Sequence, residues 1–255
     1  MGCLPQKHAL LDSLENAKMS KPTPNDLQIY DDFADAWWDG STRWIRTLAN
    51  MVPARLRYFE QHVPGWDGLD VLDVGCAGGF LTEELSRKGA KVSGIDPADR
   101  AIAAAQAHAE SEGLNIDYRV GTGESLPWPD RSFDAVTCVD VLEHVSSVDK
   151  VISEVVRVLR PGGWFLFDTI SRNPLASFLV VTMAERVLGL LPRGAHDPDL
   201  FIRPAELKGK LVPHNFAVRP FRGLGPTGVN CRGDLTFGVL PFKLVIYLGA
   251  ARLER

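Results

Sequence analysis

The stretch VDVLEHV, residues 139–145, carries Asp140, Glu143 and His144 three and four residues apart. On a helix or in a tight turn that spacing brings the three side chains to one face. Two carboxylates and an imidazole so placed have three uses. His144 could take a proton from a substrate near neutral pH. Asp140 and Glu143 could hold Mg²⁺, which would acidify a bound hydroxyl by its charge. The cluster could also simply solvate the end of a strand. Imidazole is a poor partner for a hard cation, which argues against a full metal site of Asp140, Glu143 and His144.

A second group lies upstream. VLDVGCAGG, residues 71–79, has glycines at Gly75, Gly78 and Gly79, which permit a sharp turn and close approach to a ligand. It departs from the dinucleotide pattern G-x-G-x-x-G, because Ala77 and Phe80 hold the second and third glycine positions. Asp73 precedes the loop, and a carboxylate there favours a cationic group over a pyrophosphate. Asp96 follows Gly75 by 21 residues, where an acid can accept hydrogen bonds from both hydroxyls of a ribose. A nucleoside bearing a cation, S-adenosylmethionine, satisfies both acids.

The elements that must position these groups follow from hydrophobic rhythm. LDVLDVG, AKVSGID, IDYRVG, FDAVTCVD and WFLFDTI read as buried strands. GFLTEELSRKG, DRAIAAAQAHAESEG and SVDKVISEVVRVLRPGG read as the helices between them. That alternation predicts an α/β fold with a mostly parallel sheet covered on both faces. Residues 26–66 predict an N-terminal helical cap, interrupted at Pro53, after a mobile leader over 1–25. PLASFLVVTMAERVLGLLP, residues 174–192, predicts an apolar helix, RPAELKGKL a short one, and HNFAVRPFRGL and LPFKLVIYLGAAR the last strands.

The bulk numbers exclude several classes. The 255 residues, 45% hydrophobic and 24% charged, suit one α/β domain with a cap. A net charge of −4 without a basic run predicts no nucleic-acid partner. Cys3, Cys76, Cys138 and Cys231 form no C-x-x-C pair and read as reduced thiols. The first twenty residues lack the apolar segment of a secretion signal, so a cytoplasmic location is expected. Gln6 stands where a myristoylation signal needs Ser or Thr.

VLDVGCAGG, SGID, GTGESLPWPDRSFDAVTCVDVLEHV and VLRPGGWFLFDT together resemble the successive motifs of the class I S-adenosylmethionine-dependent methyltransferases. YDDFADAWWD, PARLRYF and residues 171–207 are similar to the ubiquinone-biosynthesis O-methyltransferases, which methylate polyprenyl phenols and catechols. The resemblance implies a Rossmann-like sheet with its last strand antiparallel, a methyltransferase domain over 67–255, and an insertion after the fifth strand at about 171–212. It also implies site roles. Arg55 would meet the methionine carboxylate, and Gly75 would line the methionine side beside Asp73. Asp96 would take the ribose. Gly123 and Glu124 would flank the adenine, with Leu126 and Trp128 nearby, and Val139 would pass beneath the cofactor. A metal would sit at Asp140, Glu143 and His144. On the residues alone, His144 is the best candidate for the catalytic residue, having the right pKa range just after the fourth strand.

The sequence departs from that family at Ala77, where glycine is usual, at Thr122, where Asp is common, and at Asp140, where Glu is more usual. The expected activity is O-methylation of a phenolic or catecholic quinone precursor, with S-adenosylmethionine as cofactor and Mg²⁺ as a candidate second one. Peripheral contact with the inner membrane face through 174–192 is expected for a polyprenyl acceptor. The rivals are an N- or C-methyltransferase of a small metabolite and a non-catalytic cofactor-binding protein.

Overall fold

Five apolar runs bounded by turn residues become five adjacent parallel strands. The computed structural model describes Asn25 and residues 27–254, so the expected leader, Asn25 apart, and Cys3 lie outside the described residues. The strands are β1 (Asp70–Val74), β2 (Lys91–Asp96), β3 (Asp117–Val120), β4 (Phe133–Cys138) and β5 (Leu159–Ile170). Helices α3 (Phe80–Arg87), α4 (Asp99–Ser111) and α5 (Val148–Val158) follow β1, β2 and β4. With β7 (Arg222–Val229), β8 (Leu235–Leu240) and β9 (Ile246–Leu253) from the C-terminal third, the sheet order is β3-β2-β1-β4-β5-β9-β7-β8. Strand β9 runs antiparallel to β5, as the resemblance implies. The chain leaves β1 toward β2 on one side and occupies β4 on the other. The crevice at the carboxyl ends of these strands is where open α/β sheets bind ligands.

Both faces of the sheet are covered. On one, Val151, Ile152, Val155 and Val158 of α5 pack with Leu72, Val136 and Phe165. On the other, Met51, Val52, Leu56 and Phe59 of α2 (Arg43–Phe59) pack with Val71, Ala135 and Leu166. Helix α7 (Pro204–Leu211) lies in the insertion, yet its Leu207 and Leu211 join the first core.

Two expectations need correction. Helix α2 runs unbroken through Pro53. A proline inside a helix costs about 3 kcal/mol. Here it sits on the exposed side, while ten residues of the helix are buried and outweigh that cost. The segment before it is less regular than its pattern predicts: α1 covers only Gln28–Asp32, followed by a single tight turn at Ala34–Ala36. Its aromatics form a cluster instead, with Trp44 set edge-on against Tyr30, Phe33 and Trp37.

The C-terminal third holds more strands than its pattern predicts. After β6 (Phe216–Val218), β7 (Arg222–Val229) and β8 (Leu235–Leu240) form a hairpin, joined by β7 to β9. The apolar run at 174 opens as α6 (Pro174–Ser177), capped by the Asn173 side chain, and continues as a wide-turn helix over Phe178–Val187. Wide-turn helical stretches recur at functional sites.

Candidate functional site: a cofactor cavity at the strand ends

A cavity of about 530 Å³ opens at the carboxyl ends of β1, β2 and β4. That is the size of a small-molecule site. Arg55, Asp73, Gly75, Asp96, Gly123, Glu124, Val139, Asp140 and His144 all line it. Every expected cofactor residue thus reaches one space. Of the residues expected near the adenine, Leu126 and Trp128 do not: both belong to the core beneath α5.

The glycine loop shapes the floor. Gly75 has φ +73°, and a Cβ there would stand 2.1 Å from Val141 Cγ2. At Gly78 a Cβ would meet the Trp37 ring at 2.4 Å, so that glycine admits the N-terminal cap rather than the ligand. Ala77 also has positive φ, +44°. A left-handed alanine is strained by about 1 kcal/mol, which gives glycine its advantage at this position. Ala77→Gly is therefore expected to raise stability by about 0.5–1 kcal/mol. Urea denaturation measures this; an unchanged or lower midpoint would show that the alanine methyl packs well enough to offset the strain.

The acids are held by specific donors. Asp73 is fully buried and accepts hydrogen bonds from Thr82 Oγ1 and Thr137 Oγ1, each at 2.7 Å. Burial pushes its carboxyl up to about 6, against the pull of the two hydroxyls. Asp96 accepts from Ala77 N and Ala98 N, both at 2.9 Å, one on each oxygen. Each oxygen keeps a second lone pair for a ribose hydroxyl. Burial also raises Asp96 to about 6. Glu124 accepts from Ser146 N and Oγ at 3.0 Å, tying the adenine side to the turn after β4.

Arg55 rides on the apolar stripe of α2, one turn from Met51, Val52, Tyr58 and Phe59, and so is carried into the sheet. It donates from Nε to Asp168 Oδ2 at 2.6 Å and from Nη2 to Asp140. Burial opposes its charge, but Asp140 and Asp168 outweigh that and hold its pKa above the ordinary value. Its Nη1 has no protein partner among the described residues, which leaves one edge of the fork for a carboxylate.

The VDVLEHV stretch is a tight turn after β4, closed by His144 N donating to Val141 O at 2.8 Å. Asp140 has φ +53°, a left-handed conformation that Asp tolerates better than Glu. Glu143 is buried and accepts from Thr169 Oγ1 at 2.8 Å, while its Oε1 has no partner among the described residues. Burial, and then Asp140, push its carboxyl up to about 8, so it is neutral at pH 7. His144 is 9% exposed; Asn25 Oδ1 lies 2.6 Å from its Nδ1, and its Nε2 is buried without a hydrogen-bond partner among the described residues. Burial, with His196 beside it, lowers its pKa to about 3. The ring is thus a neutral acceptor at physiological pH.

As a cation site the three residues fit poorly. Asp140 is already paired with Arg55, and Glu143 is buried with one carboxylate oxygen accepting from Thr169 Oγ1. Among the described residues, no group of three His, Cys, Asp or Glu side chains is placed to hold a metal ion. The expected three-residue centre is not preassembled, and no step below is routed through a metal. S-adenosylmethionine fits: Asp96 offers lone pairs to its ribose, Asp73 and Arg55 face the cavity with opposite charge, and the volume suffices.

The structure adds residues that sequence reasoning missed. Tyr30 lines the cavity from α1, and Asp168 anchors Arg55 from β5. Asp168 had a signal: a carboxylate inside the apolar run WFLFDTI, on a strand buried on both faces, must have a cationic or hydrogen-bonding partner.

Comparison with known proteins agrees with this geometry. Residues 72–167 match the family model described as a methyltransferase domain. The chain is 41% identical over 192 residues to a ubiquinone biosynthesis O-methyltransferase of Leptothrix cholodnii, covering 74% of this chain and 81% of that one. A protein of the same name from Nitrosomonas europaea is 39% identical over 185 residues, covering 72% and 78%. Among solved structures, a SAM-dependent methyltransferase from Thermotoga maritima superposes with a TM-score of 0.63 at 17% identity, covering 89% of this chain and 99% of that one, a likeness of fold. With the crevice, the paired acids and two-thirds or more of each curated relative matched at about 40% identity, the chain belongs to the S-adenosylmethionine-dependent methyltransferases, in the family of the ubiquinone biosynthesis O-methyltransferases.

Proposed function

We propose that this methyltransferase transfers a methyl group to a phenolic or catecholic oxygen of a polyprenyl quinone precursor, with His144 as general base. The observation that carries the reading is that His144, whose Nε2 has no hydrogen-bond partner among the described residues, lines the same cavity as Asp73 and Asp96. The names of the curated relatives supply the acceptor class.

When bound, S-adenosylmethionine supplies an activated methyl group on a neutral leaving group. The protein's work is alignment and proton removal. A phenol has a pKa of ~10 and is protonated at pH 7. As the oxygen gains its methyl group the proton becomes acidic, so even the weakly basic imidazole of His144 can accept it in the same step. Asp96 orients the ribose, and Arg55 and Asp73 take the charged ends of the methionine moiety.

Cofactor affinity should depend on Asp96 being ionised. Its pKa is raised to about 6, so the carboxylate is present above that value and is lost as pH falls through it. Affinity for S-adenosylhomocysteine, measured by calorimetry, is expected to drop below pH 6. Asp96→Asn should weaken binding at pH 7.5 by about tenfold or more and reduce that pH dependence to the part that comes from Asp73, whose carboxyl burial also raises to about 6. A pH response retained in full by Asp96→Asn would assign it to another group.

The insertion supports contact with a membrane surface. Leu175, Phe178, Leu179, Val187 and Leu188 are exposed along it, and Phe242 and Leu244 are exposed where Asn173 bonds Leu244 O. No helix among the described residues is long and apolar enough to cross a membrane. An insertion bound at the lipid surface would meet a polyprenyl chain without extracting it fully from lipid.

The decisive experiment is transfer of labelled methyl from S-adenosylmethionine to polyprenyl phenols, catechols and small amines, with Mg²⁺ or with chelator. Labelling of phenols or catechols that survives chelation is expected. Labelling of amines alone would overturn the acceptor assignment, and loss of transfer on chelation would replace the base role of His144 with metal ligation.

A further inference from the structure

We infer that Asn25 is the positioning residue that sets the tautomer of His144. The inference rests on the base role proposed above and deepens it. Asn25 makes two hydrogen bonds to one residue 119 positions away. Its Nδ2 donates to the His144 backbone carbonyl at 3.1 Å, and its Oδ1 lies 2.6 Å from His144 Nδ1.

The first bond decides the second. A carbonyl oxygen can only accept, so it selects the NH₂ end of the Asn25 amide. The Oδ1 end must then face Nδ1. Oδ1 also only accepts, so Nδ1 carries the proton. In a neutral imidazole the other nitrogen is then bare. Nε2 is therefore the lone-pair nitrogen, and it is the ring atom that has no protein partner.

The rest of the surroundings keeps that arrangement. The His196 ring lies against the His144 ring, with centroids 5.0 Å apart, and His196 directs its own Nδ1 to Glu185 Oε1 at 2.9 Å. It therefore covers a face of His144 and does not compete for Nδ1. Asn25 has φ +60°, a left-handed conformation that asparagine adopts more readily than most residues. The start of the N-terminal cap thereby belongs to the proton-transfer machinery as well as to the cavity wall, where Leu27 and Tyr30 stand beside it in sequence.

Asn25→Ala frees Nδ1 and lets both tautomers form, so kcat should fall by about 10- to 100-fold. Affinity for S-adenosylhomocysteine should change little, because no bond to Asp73, Asp96 or Arg55 is lost. Asn25→Asp keeps an acceptor for Nδ1 but loses the donor to the His144 carbonyl, so it should recover only part of the rate. Nitrogen-15 chemical shifts of His144, read without turnover, should report protonated Nδ1 and bare Nε2 in the wild type and Asn25→Asp, and a mixture in Asn25→Ala. An unmixed tautomer in Asn25→Ala would overturn the inference, as would a rate loss matched by an equal loss of cofactor affinity. Unchanged kcat in His144→Ala would instead remove the base role itself, while the nitrogen-15 shifts would still decide whether Asn25 sets the tautomer.

Discussion

Replacing His144 with alanine is expected to lower kcat by about 10²- to 10⁴-fold, the usual contribution of a positioned general base. Affinity for S-adenosylhomocysteine should stay within about threefold, because the groups that fit the cofactor's charged ends and ribose sit on α2, β1 and β2. The imidazole is already neutral, with a pKa lowered to about 3 by burial and then by His196. Its own titration therefore should not produce an acid limb in the kcat profile between pH 5 and 8. Stability should fall only modestly, since the lost contacts are the Asn25 bonds' ring partner and the His196 ring. Wild-type turnover in His144→Ala would end the base assignment. A kcat profile in the wild type that falls with an apparent pKa near 6.5 and disappears in His144→Ala would show instead that the ring is more solvated than the structure indicates.

Arg55→Ala should be the most destabilising single change at the site. It leaves Asp168, wholly buried, and Asp140 without their shared cation. Breaking a buried pair from one side costs about 3–5 kcal/mol. Burial already raises Asp168 to about 7, and Arg55 is what pulls it down. Without Arg55 its folded pKa rises further. A raised folded pKa contributes stability that is present below the unfolded value and lost as pH rises through the folded one. The deficit of Arg55→Ala should therefore be largest at neutral and alkaline pH and shrink in acid. Urea denaturation at pH 5 and pH 8 reads this directly. Pairing Arg55→Met with Asp168→Asn should restore part of the loss, because the pair is then replaced by neutral groups rather than halved. A deficit independent of pH would show that the arginine stem packs the core and its charge matters little. Arg55→Lys is a separate probe: it keeps the charge but loses the fork, so cofactor affinity should fall even where stability survives.

The legible and the hidden parts of the molecule divide along a physical line. Strands β1 and β4 and the second half of β5 are short, mainly apolar runs, and α5 carries its buried residues on one stripe, so local pattern defines them. The β7–β8 hairpin escapes because its strands are half exposed and rich in Gly and Pro, which blurs the apolar alternation. Pro53 reads as a break because the sequence does not say that the ring faces solvent while its neighbours are buried.

The site divides in the same way. Asp73, Gly75 and Asp96 stand at fixed distances from strand ends, and a βαβ unit has little freedom there, so spacing places them in the cavity. The sequence by itself therefore determined the parallel part of the sheet, the glycine loop and the placing of Asp73 and Asp96 at the cavity. Tertiary structure alone decided the burial and pairing of the turn after β4. Arg55 finds Asp168 across 113 positions, and Asn25 finds His144 across 119. Burial makes Glu143 neutral and keeps His144 uncharged. Charge state depends on what surrounds a group in three dimensions, and local sequence pattern carries only the neighbours within a turn or two.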